Sequence, residues 1–329
     1  MGRLMRRALA GLTFALLLPG CQLPLGLGLP TTRELMNGAA ANLSATSLEV
    51  AGSYVESGRR WDVELQITRP GAQHVVASME GLRIEAIVIG KDAYFRGQEL
   101  LAQHLNADVA SISLAKAAGN AWWKGLSPTP RPDFADFTDA ARVKAAFLNA
   151  DLVTRRDHVL VDGVESAELS GSRADVYIRE AAPHELLHLH MLSGTTVGGM
   201  VLADLKFNNY GKDFKIVAPS EVIDFADLST LPPNYTVLSV DASGCGTPCV
   251  VKAALKNLGG GTGGKAPSTV TFEMTDLASG KVVGSCTTNV APDVGYNATT
   301  TVSCTVAKPA AVDFGPSRVT ASPTNPGHA

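Results

Sequence analysis

The chain has 329 residues, enough for about two domains with cores of their own. Apolar residues make up 45% and charged residues 18%, which points to a globular protein with a modestly charged surface rather than a disordered chain. The net charge is −3, and beyond the first seven residues no Lys/Arg cluster occurs apart from short pairs such as Arg59-Arg60 and Arg155-Arg156. Binding nucleic-acid phosphates needs a basic patch, so no nucleic-acid partner is expected.

The first twenty residues read as an export signal. Arg3, Arg6 and Arg7 precede an apolar run from Ala8 to Leu18. That run falls short of the roughly twenty residues that span a bilayer. Cys21 follows directly on Leu18-Pro19-Gly20, and this stretch resembles the bacterial lipobox, with Pro19 departing from the usual small or aliphatic residue. The resemblance implies that Cys21 is diacylated, becomes the first mature residue, and anchors the protein to the outer face of the bacterial cytoplasmic membrane. The plainer alternative is a secretory signal followed by an incidental cysteine. Residues 21–30, rich in Gly and Pro, then form a tether.

Thr32 is placed to cap a helix running to about Leu43, with Leu35, Met36, Ala39, Ala40 and Leu43 on one side. The hydrophobic period then becomes two. In Trp61 to Thr68 every odd position is apolar and every even one polar, the pattern of a strand with one dry face. Val75 to Met79, Leu82 to Ile89 and Ala93 to Phe95 follow, joined by short turns that predict antiparallel neighbours. Residues 98–105 and 133–148 have helical character, separated by Trp122-Trp123-Lys124 and a Pro-rich stretch. Strand patterns return at 174–179, 201–207 and 214–217.

Leu228 to Pro233 reads as a linker, because two prolines interrupt regular structure. Five short β-rich runs follow (237–240, 250–255, 269–274, 282–286 and 299–306) and read as a small sandwich over residues 235–308. The glycine run 259–264 lacks the Gly-Lys-Ser/Thr ending of a phosphate cradle, so no nucleotide cofactor is expected. Residues 309–329 carry four prolines and few apolar side chains, and read as a disordered tail.

Setting Cys21 aside as the lipid site leaves Cys245, Cys249, Cys286 and Cys304. In an oxidising compartment these can pair in three ways, of which Cys245 with Cys249 and Cys286 with Cys304 is preferred. A clip around the 286–304 loop would contribute about 3 kcal/mol. Four cysteines also suggest zinc, but no Cys-x-x-Cys pair occurs and no metal is expected there.

Pro183-His184-Glu185-Leu186-Leu187-His188-Leu189-His190 contains the letters H-E-x-x-H of zinc peptidases. That chemistry needs His184 and His188 one helical turn apart with Glu185 as base. Here only about ten residues separate Pro183 from the following Ser193-Gly194, and both flanks alternate with period two. The stretch is therefore expected to be a strand, with Leu187, Leu189 and Met191 on one face and His184, His188 and His190 on the other. On such a strand His188 and His190 are either a solvated pair or two ligands awaiting a third.

The order of elements, together with Gly90-Lys91-Asp92-Ala93-Tyr94-Phe95-Arg96-Gly97, the Trp122-Trp123-Lys124 turn and the segment from Tyr177-Ile178-Arg179 to Ala218-Pro219, resembles the LolA/LolB-like lipoprotein-carrier fold over residues 31–230. The likeness is closest to the LppX/LprG-like branch of exported lipoproteins. The resemblance implies a mainly β (α+β) protein whose N-terminal bent antiparallel half-barrel is covered by helices and holds acyl chains. The C-terminal unit looks immunoglobulin-like. Trp61, Val63, Leu65, Ile67, Leu82, Ile84, Ala86 and Val88 would form the apolar, ligand-facing side. Trp122 and Trp123 would line an entrance or pack under a loop. Two functions follow: a non-enzymatic envelope lipoprotein that carries a lipid in a cavity, or a sensor, assembly or interaction lipoprotein with a filled core.

Overall fold

The structure is a computed structural model that describes residues 28–69, 71–105, 109–126, 134–149, 151–246, 248–307 and 317–328. The signal, Cys21 and most of the tether lie outside these residues.

The chain is mainly β. Helix α1 (Thr32–Ala45) opens it, and its N-cap is Thr31 rather than Thr32. Glu34 lies three residues after Thr31, so the two close a capping box: the Glu34 N–H donates to the Thr31 hydroxyl at 3.2 Å, and the Thr31 N–H donates to the Glu34 carboxylate at 2.7 Å. Strands β1 (Leu48–Glu56), β2 (Arg59–Thr68), β3 (Ala72–Met79), β4 (Leu82–Ile89) and β5 (Asp92–Arg96) follow as a meander. The helical insertion contains α2 (Gln98–His104), α3 (Val109–Ala118), the short strand β6 (Trp122–Lys124), α4 (Ala135–Thr138) and α5 (Ala140–Ala146). The single helix expected over 133–148 is divided because Asp139 is extended and caps α5 by accepting from the Arg142 N–H.

A second meander runs through β7 (Leu152–Val161), β8 (Val164–Gly171), β9 (Ala174–Arg179), β10 (Leu186–Met191), β11 (Thr196–Val197) and β12 (Met200–Asn208). Strand β12 pairs antiparallel with β1, so the two meanders fuse, with the short strand β13 (Val222–Asp224), into one thirteen-stranded sheet in the order β13-β6-β5-β4-β3-β2-β1-β12-β10-β9-β8-β7, with β11 attached to β12. Strand β13 adds parallel to β6. The strand expected at 214–217 does not form, because Lys215 takes a left-handed φ of 49° that breaks an extended run.

One hydrophobic cluster fills the space between the sheet and the helices. It joins Leu35, Ala39 and Leu43 of α1 with Val63, Leu65 and Ile67 of β2, Leu205 and Phe207 of β12, and Phe137, Val143 and Phe147 of the insertion.

Strands β14 (Tyr235–Asp241), β15 (Cys249–Asn257) and β18 (Thr299–Val306) form one three-stranded sheet, and β17 (Val282–Asn289), β16 (Thr269–Asp276) and β19 (Ser317–Thr324) the other. A second cluster, including Val251, Leu255, Val270 and Phe272, lies between them. Cys245 is paired with Cys249 and Cys286 with Cys304. Since β17 and β18 belong to opposite sheets, the second bridge ties the two sheets together rather than two neighbouring strands. Such pairs persist in an oxidising, extracytoplasmic compartment.

Two expectations about the second half change. The stretch expected to be a tail contributes β19, whose eight residues pair along β16. The expected linker is no free connector: Leu231 and Asn234 are 0% and 1% exposed. Asn234 accepts from the Ser113 hydroxyl of α3, and the His328 N–H donates to the Ala117 carbonyl at the end of α3. A connector has to stay solvated unless its backbone is satisfied, and here the Leu231 and Asn234 carbonyls accept from the Gly260 and Leu258 N–H groups while the Asn234 N–H donates to the Asn257 side chain.

The β1–β12 join sets a strict steric limit. A Cβ on Gly52 would lie 2.0 Å from the Asp204 carbonyl oxygen, a backbone atom with no room to move. Gly52→Ala is expected to cost at least about 2 kcal/mol in urea unfolding. Gly58, in the β1–β2 hairpin, also has a positive φ (76°) but has open space around it. Its alanine variant is expected to lose only about 1 kcal/mol. Equal losses at the two glycines would remove the argument from close approach.

Candidate functional site

The residues expected to face an apolar ligand fall into three groups. Val63, Leu65, Ile67 and Ala86 are between 0% and 4% exposed and belong to the cluster shared with α1, α4 and α5. Trp61, Ile84 and Val88 are partly buried and pack against that cluster, and Leu82 is half-buried at the β3–β4 hairpin. The two tryptophans of β6 part company, as alternation on a strand requires. Trp123 is buried 4.9 Å from the Phe95 ring and 6.3 Å from Phe225. Trp122 faces outward beneath the Arg96 guanidinium, 5.8 Å from its ring centre. It lines an open cleft of about 490 Å³ together with Asn120, Pro219 and Glu221. That cleft is bordered mainly by polar groups.

The H-E-x-x-H letters do not lie on a helix. Leu186–Met191 is the extended strand β10, with Leu189 and Met191 buried and His188 and His190 on the outward face, as the alternation predicted. His184 departs from the expectation. It precedes the strand with a left-handed φ of 59°, and its ring packs on Gly38 of α1, where a Cβ would meet the His184 Cβ at 2.7 Å. Its Nδ1 lies 3.2 Å from the Arg179 carbonyl. Glu185 is buried and pairs with the Arg179 guanidinium at 3.0 Å. His184 and Glu185 both bond to Arg179, through its carbonyl and its guanidinium, whereas His188 turns to Asp204, so the three motif side chains do not converge as zinc ligands would.

Beside this pair lies Tyr210, whose hydroxyl donates to the Leu186 carbonyl at 2.7 Å. Burial pushes the phenol well above its ordinary pKa; the Glu185 charge adds to the shift and the Arg179 charge opposes it. Tyr210 therefore stays a neutral donor and fixes the start of β10 against the end of β12.

On the outward face, Asp204 joins two imidazoles. Its Oδ1 lies 2.7 Å from His188 Nε2 and its Oδ2 3.2 Å from His190 Nδ1. Tyr177 of β9 stacks on His188 with ring centres 5.2 Å apart. Burial by itself would raise the Asp204 carboxyl, but the hydrogen bond and charge of His188, followed by those of His190, outweigh it and hold the group below its ordinary value. Register explains the meeting: His190 lies opposite Asp204 across β10–β12, and His188, opposite Lys206, lies two pairs further along on the same face. An open cleft of about 630 Å³ runs past this cluster between Arg60, Asp62, Leu202 and Lys206. His188 and His190 were visible in the sequence. Asp204 was not singled out, because only the long-range pairing shows that it faces them.

Cys21, the expected lipid site, lies outside the described residues. Among those that are described, no helix is long and apolar enough to cross a membrane.

No family model and no curated relative matches the chain. Among solved structures, the MucB chain in the MucB–MucA(peri) complex is 17% identical, with 88% of this chain and 92% of that one covered at a TM-score of 0.28. A chain of the Pseudomonas aeruginosa MucA/MucB complex is 16% identical, with 90% and 94% covered at 0.31. A structure of MucB alone is 15% identical, with 76% and 82% covered at 0.28. At such low overlap nothing about residues or partners passes from those chains to this one.

The Asp204 cluster makes stability depend on pH in one direction. The carboxyl titrates lower folded than unfolded, so its contribution is complete above the ordinary aspartate range and is lost as pH falls through the folded value. The carboxylate is 49% exposed, so solvent screens the interaction. Asp204→Asn is therefore expected to lower stability near neutral pH by no more than about 1 kcal/mol. Urea unfolding at neutral pH and well below the ordinary aspartate pKa checks this: the gap between variant and parent should close in acid. A gap that persists there would show that packing, rather than the charge, is what Asn fails to replace.

Proposed function

We propose that this protein is a non-enzymatic lipoprotein of the bacterial cell envelope, held to the membrane through Cys21, that acts as an interaction, assembly or sensor module. The observation that carries this reading is the state of the sheet's apolar face. Leu65 and Ile67, at 1% and 0% exposure, share a single cluster with Leu35 and Leu43 of α1 and with Phe137, Val143 and Phe147 of the insertion. A carrier needs its apolar face available to acyl chains, each methylene of which contributes about 0.8 kcal/mol on burial. In this chain the same surface is used by its own helices.

The remaining exterior suits contact with protein. Two packed units present a broad polar surface with isolated exposed apolar side chains, among them Val153 and Leu160 on the edge strand β7, Leu202 beside the Asp204 cleft, and Leu238 on the sandwich. At the junction between the units Leu231 and Asn234 are buried. The H-E-x-x-H letters, dispersed on a turn and a strand, favour a non-catalytic role.

Two measurements on the mature protein test the proposal. Lipid extraction and mass spectrometry of the unacylated form should yield no stoichiometric lipid, and an apolar dye should gain no fluorescence on mixing. In cells, a photo-crosslinking residue at Val153, Leu202 or Leu238 should capture a discrete protein. Stoichiometric co-purified lipid, displaced by the dye, would instead restore the carrier function and overturn the filled-core reading.

A further inference from the structure

Three adjacent strands bring one imidazole and two carboxylates together at the end of the large sheet, away from both clefts described above. His158 stands in β7, Glu165 in β8, and Glu180 directly after β9. One ligand atom from each lies within 4.8 Å of the other two. The pairing holds them in place: Leu160 lies opposite Glu165, Ser166 opposite Arg179, and the Glu180 N–H donates to the Glu165 carbonyl at 3.2 Å.

Glu180 supplies the independent observation. Its side chain is only 8% exposed, and both of its partners belong to His158: the backbone N–H at 2.6 Å and ring Nδ1 at 3.1 Å. Among the described residues no lysine or arginine bonds to it; neighbouring Arg179 is turned to Glu185 instead. A carboxylate removed from water without a cation is costly. The His158 imidazole brings at most one positive charge, and Glu165 adds a second carboxylate. The group as a whole is short of positive charge.

We propose that His158, Glu165 and Glu180 form a divalent-cation site whose occupant is zinc. One imidazole nitrogen with two carboxylate oxygens is a donor set suited to zinc, whereas magnesium and calcium favour oxygen alone and copper(I) favours thiolate or thioether. Tetrahedral zinc sets its ligands about 3.4 Å apart. The present spread contracts to that by side-chain rotation, because His158 is 63% exposed and free to turn. Three protein ligands leave the fourth position to water or to a side chain from a docking partner. This proposal is independent of the function argued above.

The test uses the mature, unacylated chain stripped with a chelator and titrated with zinc chloride in a calorimeter. One zinc per chain should bind, and X-ray absorption of the loaded protein should show nitrogen and oxygen neighbours with a single imidazole. His158→Asn removes the imidazole while keeping a residue tolerant of the left-handed φ of 58° found there. His158→Asn and Glu180→Gln should each weaken binding by at least about tenfold with unchanged circular dichroism. His190→Ala, in the other histidine cluster, should leave binding intact. If zinc does not bind, or if it survives both substitutions, or if it is lost with His190→Ala instead, the site does not exist, and His158 and Glu180 are simply an ion pair.

Discussion

The fold depends on the approach of two backbones at the β1–β12 join. Each meander on its own would leave a long unpaired edge and an uncovered apolar face. Only where β12 lies along β1 do the two become one sheet with a single dry side. Ser53 faces Asp204 there, and the register slips between Ser53 and Val55 so that the strand can bend. Gly52 is required because the Asp204 carbonyl occupies the place of a side chain. The same residue fixes the next strand: with its backbone against β1, Asp204 directs its carboxylate to His188 and His190 of β10. Three strands are thus registered through one position. Of the two histidines that spell a peptidase motif, His188 serves in this fold as a cross-strand partner, whereas His184 packs on α1.

Coverage of the dry side follows from that register. Once β1, β2 and β12 are aligned, Val50, Leu65, Ile67, Leu205 and Phe207 join one buried cluster, and an amphipathic helix can close over it. Helix α1 does so with Leu35, Ala39 and Leu43, and it is pinned at the far side by Asn42, whose amide donates to the Pro183 carbonyl. Arg69 adds a polar clasp, its guanidinium donating to the carbonyls of Leu43 at 2.6 Å and Thr138 at 2.9 Å, so it joins α1 to α4 at the rim. Those carbonyls would otherwise lack partners at helix ends.

Where the sequence was transparent, side-chain period matched backbone regularity. Residues 174–179 and 299–306 alternate without interruption and are strands with those bounds. Where it was opaque, the backbone departs from a plain strand. Strand β1 is masked in the sequence because Gly52 and Ser53 break its apolar alternation at the bulge. Strand β7 is masked because its register shifts between Arg156 and Val159, which throws the alternation out of phase. Strand β19 has almost no apolar signature, since its place in the sandwich comes from backbone pairing with β16 rather than from a dry face of its own. The candidate sites were less legible still. Trp122 and Trp123 are adjacent letters that go to opposite sides of a strand, while Asp204 with His190, or Glu180 with His158, are distant letters that only strand order brings together.

The tether and the outer edge of the sheet are connected physically. Arg155 of β7 donates to the Pro30 carbonyl at 2.7 Å, so the chain leaving the expected lipid site is fastened to the edge strand before α1 begins. Arg155 also pairs with Asp157 at 2.7 Å, next to His158. Three residues of strand span about 10 Å, so the tether's exit and the His158 cluster lie on one short stretch of edge. An edge strand invites pairing with another chain unless charge or a bulge prevents it. Strand β7 carries both, in Arg155, Arg156 and Asp157 and in the irregularity before Val159. A protein held to a membrane by its N-terminus would present this edge near the bilayer. There, protected backbone and projecting side chains favour contacts through side chains over strand addition, and the sandwich is joined to α3 through Asn234 and His328.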